Sequence, residues 1–213
     1  HMCMEAHGDA SFARIVNEAD LATADGMPML NSLNRLNNLK QERVAGNDLM
    51  PAVMVEAERM GLGIFLYGGK QEVLDTIVAK AAKQHPSLRI SGTYSPPFRM
   101  PTGDEMAADA ARIAASGASI VLVSLGCPRQ ERWMAAMKGK IPAVMLGVGG
   151  AFLLYADLDK RAPKWMREAS LEWLYRLCLE PGRLWKRYLV TNTGFLLLRA
   201  TEFFRRDSRV EVS

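Results

Sequence analysis

Cysteine is scarce in this chain: three in 213 residues, Cys3, Cys127 and Cys178, with no CxxC pair. An odd, scattered set argues against a disulfide framework and against a cysteine zinc site, and a reducing cytoplasm is the natural compartment. Long apolar runs are also missing. The longest one late in the chain, Phe195 to Leu198, falls far short of the roughly 20 residues of a spanning helix, so the chain is not expected to cross a membrane by itself. The opening HMCMEAHGD carries no apolar signal-peptide core. There is no internal repeat, no low-complexity segment, no complete dinucleotide fingerprint and no GxxxxGK[ST] loop, which makes a nicotinamide dehydrogenase a poor reading.

What is present is an uneven chain. Its 49% hydrophobic content supports a core, but its charge is split. Up to Asp159 there are 15 basic and 17 acidic residues; beyond it there are 12 and 6, together with three of the four tryptophans. A tail of that kind suits an anionic partner, either nucleic acid or an acidic membrane surface, although a solvated helix face is the plainer explanation of any basic helix.

Four short apolar segments have the length and β-branched content of buried strands: Ile64 to Tyr67, Leu88 to Thr93, Ser119 to Leu125 and Ala143 to Val148. Helical patterns lie between them at Gln71 to Gln84, Asp104 to Ser116 and Arg129 to Lys138. The alternation predicts an α/β fold, a Rossmann-like, mostly parallel sheet with helices on both faces. Phe12 to Asn17 and Asp48 to Met60 read as helices, the second capped by Asn47 or Asp48 with Pro51 in its first turn. Pro28 to Lys40 is ambiguous. After Gly150 the alternation stops: Lys164 to Leu179 reads as one amphipathic helix, broken by Glu180-Pro181-Gly182 before a second from Arg183 to about Arg205. Residues 1–159 are therefore expected to form an α/β catalytic domain, and residues 160–213 a basic helical appendage.

Three predicted strands end in glycine, at YGGKQ (67 to 71), LGCPRQE (125 to 131) and GVGGAF (147 to 152). Bare backbone at the carboxyl edge of a parallel sheet is where such folds bind ligands, and a helix start there offers amides to phosphate. Three such ends on one edge point to a nucleotide-sized ligand. Asp25, in DGMPM, is either a turn residue or a general base in a cleft. Asp157-Leu158-Asp159 has the form of a DxD metal pair, a short pattern that also arises in polar loops.

The ordered set ADLATADG (Ala19 to Gly26), ERVAGNDLMP (Glu42 to Pro51), FLYGGK (Phe65 to Lys70), SLGCPRQERW (Ser124 to Trp133), GVGGAF and KRAPKW, followed by EWLYRLCLEPGRLWKRYL, resembles the WecG/TagA/CpsF family, glycosyltransferase family 26. The resemblance runs from about residue 5 to residue 190. It implies an inverting transferase without a metal cofactor. Such an enzyme moves a sugar from a nucleotide-sugar donor of the UDP-N-acetylmannosamine type, or UDP-glucose, to an undecaprenyl-pyrophosphate-linked sugar in polysaccharide or teichoic acid synthesis.

By position, the resemblance implies Asp25 as the base, with Arg43 and Gln130 as further active-site residues; surface pairing with Glu42 or Asp48, and helix capping, are the plainer alternatives for those two. Gly46 and Asp48 fall on substrate-binding positions, Gly68, Gly69, Gly147, Gly149 and Gly150 on the nucleotide pocket, and Arg176, Arg183 and Lys186 on the appendage that grips the lipid pyrophosphate at an anionic membrane surface. Peripheral attachment to the inner face of the plasma membrane follows, nucleic acid is not expected as a partner, and a small homo-oligomer is. The family's usual first strand, bearing Thr-x-Asn, would precede this sequence; Leu153 and Ala45 stand where the family often has Asp and Thr. An inactive membrane-bound scaffold and a nucleic-acid-binding module are the competing readings.

Overall fold

The computed structural model describes residues 1–163, 165, 166, 171–179, 181, 182, 185, 193–195 and 198. The chain divides into two compact units, one built from His1–Arg14, Ala24–Arg43 and Arg161–Ser213, the other from Ile15–Thr23 and Val44–Lys160.

The second unit holds the sheet. Its strands are β1 (Gly63–Gly68), β2 (Arg89–Tyr94), β3 (Ile120–Ser124) and β4 (Val144–Gly147), all parallel, in the order β2-β1-β3-β4. Five helices of this unit flank it: Gly46–Met60, Gln71–Gln84, Gly103–Ala115, Arg129–Met137 and Ala151–Tyr155. β1 is buried along its whole length, and its side chains alternate between two cores. Ile64 and Leu66 join Met50, Met54, Leu74, Ile77 and Phe152 on one face. Phe65 and Tyr67 join Ile113, Trp133 and Met137 on the other. The two cores are the reason the strands read as continuous apolar runs rather than as an alternating pattern.

The sheet order also explains the placement of the helices. The chain steps from β1 outward to β2, then returns past β1 to β3 and onward to β4. Crossovers of one hand that travel in opposite directions must lie on opposite faces. Accordingly, the Gln71–Gln84 helix packs in the first core, whereas the Gly103–Ala115 and Arg129–Met137 helices pack in the second. The Rossmann-like arrangement expected from the sequence is the observed one.

Within the first unit, Met2–Gly8 and Met27–Asn37 are helical, Ala10–Asn17 runs across the division, and Glu172–Leu179 is helical in the appendage. Among the described residues the helices labelled in chain order are α1 (Met2–Gly8), α2 (Ala10–Asn17), α3 (Met27–Asn37), α4 (Gly46–Met60), α5 (Gln71–Gln84), α6 (Gly103–Ala115), α7 (Arg129–Met137), α8 (Ala151–Tyr155) and α9 (Glu172–Leu179).

Four local readings are settled or corrected by the structure. α4 begins at Gly46 with Ala45 as its cap, two residues before the expected start, so Pro51 lies in the second turn. The reason is packing: Gly46 presses on the backbone of Val148, where an added Cβ would lie 2.6 Å from the carbonyl oxygen. The ambiguous Pro28 segment is helix α3, with the proline in its opening turn, where its missing N–H costs nothing. The single helix expected from Lys164 to Leu179 is interrupted at Leu171, whose N–H donates to the Met166 carbonyl (2.7 Å) and whose own carbonyl accepts from Leu174 and Tyr175. Finally, α9 stops at Leu179, just before the expected break; Pro181 and Gly182 carry helical backbone, and Glu180 lies outside the described residues. Proline is accepted in a first turn, so it can open a helix as well as stop one. Most of the segment expected to form a second helix, Arg183 to about Arg205, lies outside the described residues, Arg183 and Lys186 included.

Candidate functional site

The order β2-β1-β3-β4 places the reversal of strand order between β1 and β3, and the crevice outside their carboxyl ends is where open parallel sheets take ligands. The residues there are small by necessity. Gly68 has φ +106°, and a Cβ on it would sit 2.3 Å from the Ser124 carbonyl oxygen, so only glycine lets β1 leave the sheet beside β3. The Gly69 N–H then donates to that same Ser124 carbonyl (3.0 Å), which ties the two strand ends together.

The third glycine-rich end closes the crevice from the β4 side. Ser124 Oγ donates to the Gly149 carbonyl (2.7 Å), and the Gly149 N–H donates to Gln130 Oε1 (3.1 Å). Gln130 is 5% exposed and donates its amide to Glu131 Oε1. A Cβ at Gly147 would collide with the Gln130 amide at 2.4 Å. Gln130 thus braces the Gly147 to Gly150 turn from inside, and it does so with its side chain rather than as the helix cap considered above. Gly46 abuts the same turn through Val148, and Asp48 lies in the first turn of α4.

Two side chains at this edge were not singled out from the sequence. Phe98, in SPPFRMP after β2, is 93% exposed, and the Arg129 guanidinium lies over its ring, 4.0 Å from the centroid. Arg129 is fixed by donating Nε and Nη2 to the Leu125 carbonyl (3.2 and 2.7 Å). A Pro-Pro-aromatic run just past a strand end was the available signal. An apolar groove of about 470 Å³, lined by Val53, Met60, Leu62, Val144 and Leu146, lies instead by the amino ends of β3 and β4 and is no part of this edge.

The first unit contains a second constellation. Arg43 donates Nε to the backbone carbonyl of Asp25 (2.5 Å) and Nη2 to both Asp25 Oδ1 (2.9 Å) and Glu172 Oε2 (3.0 Å). Neither Glu42 nor Asp48 is its partner in these bonds. Glu172 in turn faces Arg176 Nε at 3.8 Å, one turn along α9. Asp25, Arg43, Glu172 and Arg176 therefore form one chain of alternating charge, in which the Asp25 carboxylate remains 68% exposed while Arg43 and Glu172 are about one-fifth exposed. Glu172 was missed in the sequence; its i,i+4 spacing to Arg176 on a helix was the only sign of it. An exposed carboxylate held in one orientation is suited to taking a proton from a bound hydroxyl.

The DxD pair is occupied otherwise. Asp157 pairs with Lys80, and Asp159 Oδ1 accepts from the Lys160 N–H. Among the described residues no group of three or more His, Cys, Asp or Glu side chains gathers as metal ligands.

Comparison with known proteins adds the class of reaction. Over 182 residues, 85% of this chain and 69% of the relative, the sequence is 34% identical to a Bacillus subtilis (strain 168) protein named N-acetylglucosaminyldiphosphoundecaprenol N-acetyl-beta-D-mannosaminyltransferase. The match to the family is wider still, covering residues 1–209. With the parallel fold and the ordered motifs in agreement, the chain belongs to the Glycosyl transferase WecG/TagA/CpsF family and is a glycosyltransferase.

Proposed function

We propose that the protein transfers an N-acetylhexosamine of the N-acetylmannosamine type, or a hexose, from a UDP-sugar to a sugar carried on undecaprenyl pyrophosphate, with inversion at the anomeric carbon. The donor and acceptor classes follow the name of the Bacillus relative. The observation that carries the proposal is the Asp25 carboxylate, exposed to solvent yet oriented by Arg43. In the proposed step Asp25 takes the proton of the acceptor hydroxyl. The acceptor's hydroxyl oxygen bonds to the anomeric carbon, and the bond from that carbon to the nucleotide diphosphate breaks on the opposite face, the electron pair leaving with the diphosphate.

The glycine-lined edge at Gly68, Gly69 and Gly147 to Gly150 is assigned to the donor, with Gln130 holding the last of these turns in place. Arg176, with Arg183 and Lys186, is assigned to the acceptor pyrophosphate, for which forked guanidinium donors are suited. The reaction is proposed to need no metal and to take place at the inner membrane face.

The test is a panel of UDP-sugars with a synthetic lipid-pyrophosphate-N-acetylglucosamine acceptor, read by mass spectrometry with and without EDTA. Product from one donor, equal in EDTA, is expected. Asp25→Asn should lower turnover by about 100-fold to 10,000-fold, the usual worth of a general base. Absence of product from every UDP-sugar would overturn the donor class, and wild-type turnover by Asp25→Asn would remove Asp25 from the mechanism.

A further inference from the structure

We propose that Glu172, at the start of α9, is a positioning residue for the transfer reaction: it holds the Arg43 guanidinium in the orientation that aims Asp25. The proposal rests on the reading of Asp25 as the base and names the group that keeps that base in place.

The first observation is how Arg43 is shared. Its Nε donates to the Asp25 carbonyl (2.5 Å) and its Nη2 to Asp25 Oδ1 (2.9 Å), so the guanidinium grips this residue by backbone and side chain together. The same Nη2 donates to Glu172 Oε2 (3.0 Å). A terminal guanidinium nitrogen carries two N–H groups. Those on Nη2 are therefore divided between two carboxylates, and any turn of the fork away from Asp25 must also break the bond to Glu172.

The second is where burial lies along this chain of charges. The Asp25 side chain is 68% exposed, whereas Arg43 and Glu172 are 20% and 19% exposed. An ion pair with one end in water holds a long side chain weakly, because solvent screens it and lost rotamer freedom opposes it. The Asp25 end is thus a poor anchor for Arg43. The Glu172 end, as sheltered as Arg43 itself, is a better one, and the restraint runs from Glu172 through Arg43 to Asp25.

The third is that Glu172 is itself held. It lies in the first turn of α9, where a helix favours a carboxylate, and its other oxygen, Oε1, faces Arg176 Nε at 3.8 Å one turn along. Its two oxygens look to different guanidiniums. A general base works only where its oxygen meets the hydroxyl at hydrogen-bond distance, and a misplacement of about 1 Å can cost about a hundredfold in rate. Glu172 needs no contact with a reacting atom to matter here, since it acts through Arg43.

The experiment is steady-state turnover by the full chain with UDP-N-acetylmannosamine and a lipid-pyrophosphate-N-acetylglucosamine acceptor in phosphatidylglycerol vesicles. Glu172→Ala should lower kcat by about tenfold to a hundredfold, while KM for the UDP-sugar stays within a few-fold and co-sedimentation with the vesicles stays at the wild-type level. Glu172→Gln, which keeps an oxygen for Nη2 to donate to, should recover part of the loss. Added to Arg43→Ala, Glu172→Ala should cost nothing further, because its effect passes through the guanidinium. Wild-type kcat in Glu172→Ala, beside a disabled Asp25→Asn, overturns the positioning role and leaves the transferase reading intact. Vesicle binding that falls in step with turnover overturns it in favour of a simple anchor for α9. No recovery in Glu172→Gln, or a full additional loss on the Arg43→Ala background, overturns the route through Arg43. Absence of turnover by the wild-type chain with every UDP-sugar would defeat the donor reading itself, and the role of Glu172 with it.

Discussion

Single atoms decide whether the strand ends can meet. Gly68 and Gly117 both have positive φ, +106° and +63°, but a Cβ at Gly117 would meet nothing within 4 Å whereas one at Gly68 would strike the Ser124 carbonyl oxygen. Gly117→Ala therefore isolates the backbone cost, roughly 1–2 kcal/mol for a left-handed L-residue. Gly68→Ala adds to that strain a clash with backbone that cannot rotate away, of the order of 1–3 kcal/mol for overpacking. In thermal melts, where about 1 kcal/mol shifts a domain of this size by about 2–4 °C, Gly68→Ala is expected to melt clearly below Gly117→Ala. Equal melting temperatures would mean that β1 and β3 can separate at their carboxyl ends without penalty. A second residue-scale arrangement is purely structural: burial, together with the Asp109 carboxylate hydrogen-bonded to it, pushes the Tyr67 hydroxyl well above its ordinary range, and the stacked Trp133 ring closes the pocket. Tyr67 thus stays neutral and fastens α6 to the sheet.

Among the elements, α6 carries a device whose pH dependence can be worked out. Thr102 and Glu105 form a reciprocal capping box, and Glu105 also accepts both bonds from Arg99. The Arg99 side chain, followed by the Thr102 backbone N–H, pulls the Glu105 carboxyl down to about 2 from an ordinary 4.5. A carboxyl lowered in the folded state contributes stability that is complete above the ordinary value and is lost as pH falls from about 4.5 toward about 2. Amide exchange at residues 98–105 should accordingly accelerate through that window in wild type, and Glu105→Gln should show no such step. A step of the same size in the variant would assign the titration to another group. Because this pair also ties down the loop after β2, low pH should free that loop before it melts the core.

The same scale shows what could be read in advance. Strands β1 and β3 were legible because a parallel strand buried on both faces is a short apolar run, β4 because it is an apolar run ended by glycine although it lies at the sheet's edge, and α5, α6 and α7 because their periodicity is unbroken. The start of α4 was not, since the capping preference of Asn47 and Asp48 yields to the need to seat Gly46 on Val148. Helices α1 and α8, of seven and five residues, are too short to show a period. For the site, glycine turns were visible as letters, but the Gln130 brace and the Asp25-Arg43-Glu172 chain depend on partners 19, 18 and 129 residues apart, which no local pattern encodes.

At the scale of the whole molecule, charge and aromatic content are concentrated past residue 159, with 12 basic against 6 acidic residues and three tryptophans. Among the described residues no helix is long and apolar enough to cross a membrane. A basic segment of this composition can still hold an enzyme at an anionic leaflet, with Trp at headgroup level and each Lys or Arg near the surface worth about 1 kcal/mol. Of its members, Trp165, Trp173 and Trp185 are exposed, and Arg176 is joined to the Asp25 constellation through Glu172. If attachment is electrostatic, charge reversal at Arg176, Arg183 and Lys186 together removes about 3 kcal/mol at least, which is roughly a hundredfold in partitioning. The measurement is co-sedimentation of the full chain with vesicles of phosphatidylglycerol and phosphatidylcholine, against phosphatidylcholine alone, at low and physiological salt. Binding is expected only with the anionic lipid, weakening as the screening length shrinks from about 30 Å at 0.01 M to about 8 Å at 0.15 M. Binding that ignores both salt and lipid charge would place the attachment in the tryptophans instead. Tighter binding to DNA than to anionic vesicles under the same conditions would turn the basic tail toward nucleic acid and leave the lipid-linked acceptor to be held by other residues.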